Sequence, residues 1–419
     1  MVTPLKVVVL GCSGTTTGEL TLALDWVKRL RRPVGLTTLV SALVAPAVRW
    51  AGPVVTYPAR GGFLALSRIK RTLADVDPDL ILVADLLLFR GAWLELGVPL
   101  DGVVAPYVED GRVVGLDLYD WDRRQGLLDF HGEAVCASWP GVPQEVGRLM
   151  PSPYLAPGPC VPGRGRYAMM EDEGPLSAAE KRCVRDELGL GPGRLVLTTT
   201  SGWQHVAQQE KDAAPVARHF PALMLRLLDL AARGAGEVTL AHVGPGPMVV
   251  PPDVTGVHYR FLERLPPDRF QALLGAADLL LTSNCIATTA IRAACRRVPV
   301  ASLFLGAAVA TPPPCDNGSP PARALDTYLR ATCPTYPFHV WPLGLHRGME
   351  SIFEDNPFSA LQERLDLLRP EAVVEGLHRL LVDGGRADAL RGVQADYFRL
   401  LGSTLGSPDD ALTAALRLP

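Results

Sequence analysis

An excess of charge of either sign is missing from this chain: 41 basic and 44 acidic side chains leave a net charge of −3 over 419 residues. A basic face of the kind that neutralises a phosphate backbone is therefore not expected, and neither is a nucleic-acid partner. Paired cysteines are missing too. The eight cysteines, at 12, 136, 160, 183, 285, 295, 315 and 333, show no CxxC spacing, so no disulfide framework is indicated and a reducing, cytoplasmic setting fits. No apolar run reads as a membrane span, because the most apolar internal stretch, 39–55, is broken by Pro46, Arg49 and Pro53. The opening MVTPLKVVVLG enters a strand pattern at once and lacks the longer apolar region and cleavage site of a signal peptide. Phosphate fingerprints are missing as well: GxGxxG does not occur, and no lysine completes a P-loop. With no His/Cys/Asp cluster at ligand spacing, no metal site and no resident cofactor are expected.

What is present is a large apolar fraction, 48% of residues, enough for a full core and, at this length, for about two or three domains. Short apolar runs alternate with runs of helical spacing. Strands are expected at 6–10, 35–40, 54–57 and 80–84 and helices at 18–30 and 64–74, the rhythm of a mostly parallel sheet covered on both faces. From Met150 to Gly174 the composition shifts to proline and glycine, which reads as a linker. Beyond it a helix is expected at 177–188 and strands at 195–199 and 238–242. A second Pro-rich stretch, 310–337, surrounds a short helix at 322–331 and suits an active-site loop or a surface insertion. A strand at 338–343 and helices at 371–382 and 387–401 close the chain.

The most informative segment is 257–305. Apolar runs at 278–281 and 298–305 read as buried parallel strands joined by an amphipathic helix at 287–297. The first strand ends in Thr282-Ser283-Asn284, and Thr288 and Thr289 open the helix. Hydroxyls and helix N-terminal N–H groups then converge where a phosphate would sit.

These pieces, Phe261-Leu262-Glu263-Arg264-Leu265-Pro266, then Leu273 to Leu281, then Val298-Pro299-Val300, resemble in order the nucleotide-binding domain of GT-B glycosyltransferases. The usual pattern before the final proline is kept at Thr289 and Ala293, while Ile286, Arg292 and Arg297 stand where that family commonly has Gly, Glu and Gly. The resemblance implies an α/β fold of two Rossmann-like domains facing a central cleft. Residues 1–165 would form an acceptor domain, with a C-terminal helix at about 393–419 packing back on it, and 176–392 a nucleotide-sugar donor domain. It also implies a nucleoside-diphosphate sugar as substrate, a small-molecule, peptide or protein acceptor, and no integral membrane association.

Donor-binding residues implied by the resemblance are Thr200, Ser201 and Gly202 after the first strand of the second domain, Gly244 in the next loop, Phe261 and Leu262 at the base, and Ser283, Asn284, Thr288, Thr289 and Arg292 at the diphosphate and ribose. Arg292 serves equally as a solvent-facing helix residue. In the first domain the loop Gly11 to Glu19 joins a strand to a helix at the carboxyl edge of the sheet. Its Gly18-Glu19 stands where lipopolysaccharide heptosyltransferases have Gly-Asp, which makes Glu19 the candidate general base; the alternative is a first-turn acid complementing the helix dipole. Asp85, at a strand end, is a second candidate base or orienting partner, or else a helix cap. His131 is a third. A glycosyltransferase-like binding subunit without transfer activity and a nucleotide-sugar epimerase are the competing functions.

Overall fold

The structure is a computed structural model that describes residues 3–14, 18–47, 52–59, 61–86, 88–89, 96, 99–118, 120, 146–202, 205, 214–263, 265–284, 287–304, 318–332 and 356–416. His131 and the expected strand at 338–343 lie outside them. Two compact units divide the chain. Of the described residues, one takes in those within 3–120, 146–169 and 401–416, and the other those within 170–400.

The first unit is built on a seven-stranded sheet: β1 (Leu5–Leu10), β2 (Val34–Ser41), β3 (Val54–Tyr57), β4 (Leu80–Val83), β5 (Val113–Leu116), β6 (Gly147–Ser152) and β7 (Arg164–Ala168). Its spatial order is β3-β2-β1-β4-β5-β6-β7, and each adjacent pair is parallel. The central strands β4 and β5 are short aliphatic runs, Leu80-Ile81-Leu82-Val83 and Val113-Val114-Gly115-Leu116, buried along their whole length. A parallel sheet with both faces covered requires such runs rather than an alternating pattern. The helices α1 (Gly18–Lys28), α2 (Phe63–Val76) and α3 (Asp101–Glu109) belong to this unit.

The second unit holds six strands: β8 (Arg194–Thr199), β9 (Val238–Val243), β10 (Val257–Leu262), β11 (Leu279–Thr282), β12 (Val300–Phe304) and β13 (Glu363–Asp366). All are parallel, in the order β10-β9-β8-β11-β12-β13. To this unit belong α4 (Ala178–Leu188), α5 (Ala214–Ala231), α6 (Pro267–Ala276), α7 (Thr288–Cys295), α8 (Pro320–Thr332), α9 (Pro370–Leu381) and most of α10 (Gly384–Thr404), whose last turn, from Leu401, is counted with the first unit. Local chemistry sets their ends. Ser177 and Glu180 form a reciprocal capping box at the start of α4, and Gly189 ends that helix with φ 63, a left-handed value that glycine adopts without strain.

Both sheets therefore carry the doubly wound Rossmann order, with the strand order reversing between β1 and β4 and again between β8 and β11. Among the described residues no helix is long and apolar enough to cross a membrane.

Two expectations are corrected. The 150–174 stretch is not only linker: its first residues complete β6, a fully buried strand, and β7 lies within it. Glycine there serves close packing rather than freedom of the chain. A Cβ on Gly165 or Gly147 would overlap the carbonyl oxygen of Ala411 or Ala415, both in α11 (Pro408–Leu416), which lies against β6 and β7 within the first unit. The C-terminal helix expected at about 393–419 is in fact two helices. α10 ends at Thr404, and Ser407 starts α11 by accepting from the Asp410 N–H while its own N–H reaches the Asp410 carboxylate at 2.9 Å.

Candidate active site at two switch points

In an open parallel sheet the crevice beside the reversal of strand order, outside the carboxyl ends of the strands, is where ligands bind. Most of the candidate residues fall at that position in each unit. In the first, β1 runs into Gly11, whose carbonyl accepts from the buried Tyr57 hydroxyl at 2.6 Å. Cys12 and Ser13 are buried behind it, and Glu19 projects half-buried from the first turn of α1. β4 on the other side of the reversal leads to Asp85, which is 3% exposed. Glu19, Asp85, Gly11 and Ser13 line one cavity of about 10 Å³, room for roughly a single water. The two candidate acids, 66 positions apart in sequence, thus share one pocket. Asp85 also accepts from the Leu88 N–H at 3.0 Å, so it caps the helical turn that follows β4 as well as facing the cavity.

In the second unit, Thr200, Ser201 and Gly202 follow β8, and Ser283 and Asn284 follow β11, on the two sides of the reversal. The Thr282 hydroxyl accepts from the Asn284 N–H at 3.0 Å, which turns the chain tightly at the end of β11. α7 then opens with half-buried Thr288 and Thr289. Its N-cap is Ala287, which supplies no side-chain cap, so the helix start is chemically suited to an incoming anion. Arg292 stands one turn along from Thr288, half-buried. Phe261 and Leu262 end β10, and Gly244 follows β9. These lie further from the reversal than Thr200 and Ser283, two strands and one strand out. Asn356, beyond the Pro-rich stretch, has a structural role: its side chain accepts from the Phe358 N–H at 3.1 Å.

Sequence reasoning missed His242 and Tyr259. His242 Nε2 lies 3.0 Å from the Thr200 hydroxyl and its Nδ1 lies 3.0 Å from the Tyr259 hydroxyl. The Tyr259 oxygen in turn accepts from the Met248 N–H at 2.7 Å. The available signal was a histidine inside the apolar run of β9, two residues before the Gly244-Pro245-Gly246 loop. Gly244 is part of the same packing, since a Cβ there would come within 2.8 Å of His242 Nε2.

Burial pushes the His242 pKa down from 6.5 to about 4. Between those values the unfolded chain binds the proton and the folded chain does not, so stability should fall as pH is lowered from about 6.5 to about 4. At about 1.36 kcal/mol per pKa unit the contribution is on the order of 3 kcal/mol. His242→Phe should flatten this part of the stability–pH curve in denaturant titrations. An unchanged slope would assign the effect to another group.

Among the described residues no three His, Cys, Asp or Glu side chains are grouped so as to hold a metal ion.

Comparison with solved structures supports the same architecture. The chain is similar to Spinosyn Forosaminyltransferase SpnP, with a TM-score of 0.52, 12% identity and 98% of each chain covered. It is equally similar to a UDP-glucosyltransferase from Polygonum tinctorium, with a TM-score of 0.52, 12% identity and 99% of each chain covered. At these identities the likeness establishes the fold, that of the GT-B glycosyltransferases. No curated protein matches the sequence. Residues 39–418 match a Family of unknown function, DUF6365, and the chain belongs to that family.

Proposed function

We propose that the protein is a glycosyltransferase that moves a sugar from a nucleoside-diphosphate sugar to an acceptor without a metal ion. The observation that carries this reading is the placement of hydroxyl, glycine and carboxylate residues at the strand-order reversals of both Rossmann sheets. In the second domain, Thr200, Ser201 and Gly202 together with Ser283, Asn284 and the start of α7 hold the diphosphate, Phe261 and Leu262 meet the base, and Arg292 neutralises the leaving group. Helix N-terminal N–H groups and a guanidinium then do the electrostatic work that a cation does elsewhere.

The first domain binds the acceptor. As the acceptor oxygen bonds to the anomeric carbon and the bond from that carbon to the diphosphate oxygen breaks, the Glu19 carboxylate takes the acceptor proton. The developing negative charge on the diphosphate is met by α7. Asp85, in the same cavity, orients Glu19 or replaces it as base.

Thermal unfolding with UDP, dTDP, GDP, ADP and CMP tests the donor half of this reading. One nucleoside diphosphate at a hundred times its dissociation constant should stabilise the chain by about 2.7 kcal/mol. If none shifts the melting temperature, the donor site is refuted. Arg292, standing where an acid is usual, favours one other reading, a scaffold that binds nucleotide without transferring sugar. Such a protein would show the shift but no turnover with any acceptor.

A further inference from the structure

The hydrogen-bonded chain from Met248 through Tyr259 and His242 to Thr200 has a direction, and its buried end sets it. The Tyr259 oxygen receives the Met248 N–H and has one proton of its own to give. His242 is 2% exposed, and with its pKa near 4 the ring is neutral at pH 7 and carries one proton. Suppose that proton sat on Nδ1. Tyr259 would then receive two donors, and its own proton would have no acceptor among the described residues.

With the proton on Nε2, Tyr259 donates to Nδ1, Nε2–H donates to the Thr200 oxygen, and the one proton left over is that of the Thr200 hydroxyl, at the end of the chain in the loop after β8. That leftover proton is better placed on Thr200, at the open end of the chain, than on Tyr259, which sits between two partners and already receives the Met248 N–H. A base of such low proton affinity does not draw a proton from a threonine hydroxyl at neutral pH. The arrangement therefore orients Thr200 and does not activate it as a nucleophile.

We propose that His242 and Tyr259 are positioning residues that hold the Thr200 hydroxyl as a hydrogen-bond donor, so that the loop after β8 selects an anionic phosphoryl oxygen over the nucleoside part of a ligand. The assignment rests on the nucleotide-sugar reading for the identity of that anion. Gly244 belongs to the device, because only a residue without a side chain leaves the imidazole room beside Thr200. Tyr259 and Phe261 flank the ring at centroid distances of 6.2 and 5.7 Å and hold its plane.

Two measurements test this. Nitrogen NMR of the ligand-free protein should show His242 protonated on Nε2 and bare on Nδ1; the opposite tautomer overturns the proposal whatever the protein binds. Calorimetry with UDP, dTDP and uridine then compares wild type, Thr200→Val, Tyr259→Phe and the double variant, each first checked for a native melting curve. Each single variant should bind the nucleoside diphosphate roughly tenfold more weakly, uridine binding should be unchanged, and the double variant should be no weaker than Thr200→Val. Additive losses, or an equal loss for uridine, overturn the relay while leaving the nucleotide site intact. Failure of wild type to bind any nucleotide overturns the nucleotide reading and, with it, the anion assigned to Thr200.

Discussion

Glu19→Gln is expected to lower turnover by roughly 10²- to 10⁴-fold, the usual contribution of a general base, while donor affinity stays close to that of the native protein. Gly18 begins α1 and Glu19 follows in its first turn, beside the strand-order reversal of the first sheet. Glutamine keeps the shape and hydrogen-bonding capacity of the side chain but cannot accept a proton at the pH of the reaction. Donor affinity is insulated because the residues assigned to the nucleotide belong to the other unit. Initial rates of sugar transfer, with the nucleotide sugar chosen by the thermal screen, give the answer.

Asp85→Asn is the necessary partner experiment. Asparagine caps a helix about as well as aspartate, so the bond to the Leu88 N–H survives and a loss of rate is not a loss of fold. If Glu19→Gln turns over normally and Asp85→Asn does not, the base is Asp85. If both variants keep full activity, neither carboxylate takes the acceptor proton and the proposed mechanism fails.

The second large effect is on stability. Gly165→Ala should destabilise the first unit by about 3 kcal/mol, near the upper end for forcing added volume into a packed interior. The new methyl group would meet a backbone carbonyl, that of Ala411, and not the movable end of a side chain. No rotamer change relieves such a contact, so α11 must lift from β7. Gly163, whose N–H donates to the Ala414 carbonyl at 3.0 Å, would lose that partner as well. A fall in melting temperature of roughly 6–12 °C follows for a unit of this size.

Gly392→Ala is the control. Gly392 lies within α10 with nothing near its Cβ position, and alanine there should stabilise the helix by about 0.5–1 kcal/mol. A Gly165→Ala protein that melts with the native one would mean that α11 is not seated on β6 and β7 as described.

Much of the architecture was legible in the sequence because parallel strands buried on both faces must be short aliphatic runs. Leu5 to Leu10, Leu80 to Val83 and Leu279 to Thr282 leave little room for another reading. The same rule failed for β6, whose GRLMPS is fully buried yet carries glycine, arginine and proline, and for β7, whose RGRYA is buried only at alternate residues. Their composition answers to α11, more than 240 residues later in the chain, and a window of neighbouring residues carries no trace of so distant a partner. Likewise, the motif order marked the loops after β1, β8 and β11 as candidate sites. It offered Asp85 only as an alternative base or orienting partner to Glu19 and gave no partner to Thr200, because which strand ends are neighbours depends on strand order.

The sequence by itself determined the class of fold, two rounds of strand and helix with small polar residues at the strand ends, because periodicity and turn chemistry are local properties of the chain. Only the tertiary structure decided which strand ends are neighbours. That choice set two acids around one cavity, made Asp85 a cap as well as a candidate base, and gave the Thr200 hydroxyl its direction through a histidine buried out of reach of water. Each of these depends on burial and on contacts between distant segments, and such contacts exist only once the sheets have assembled.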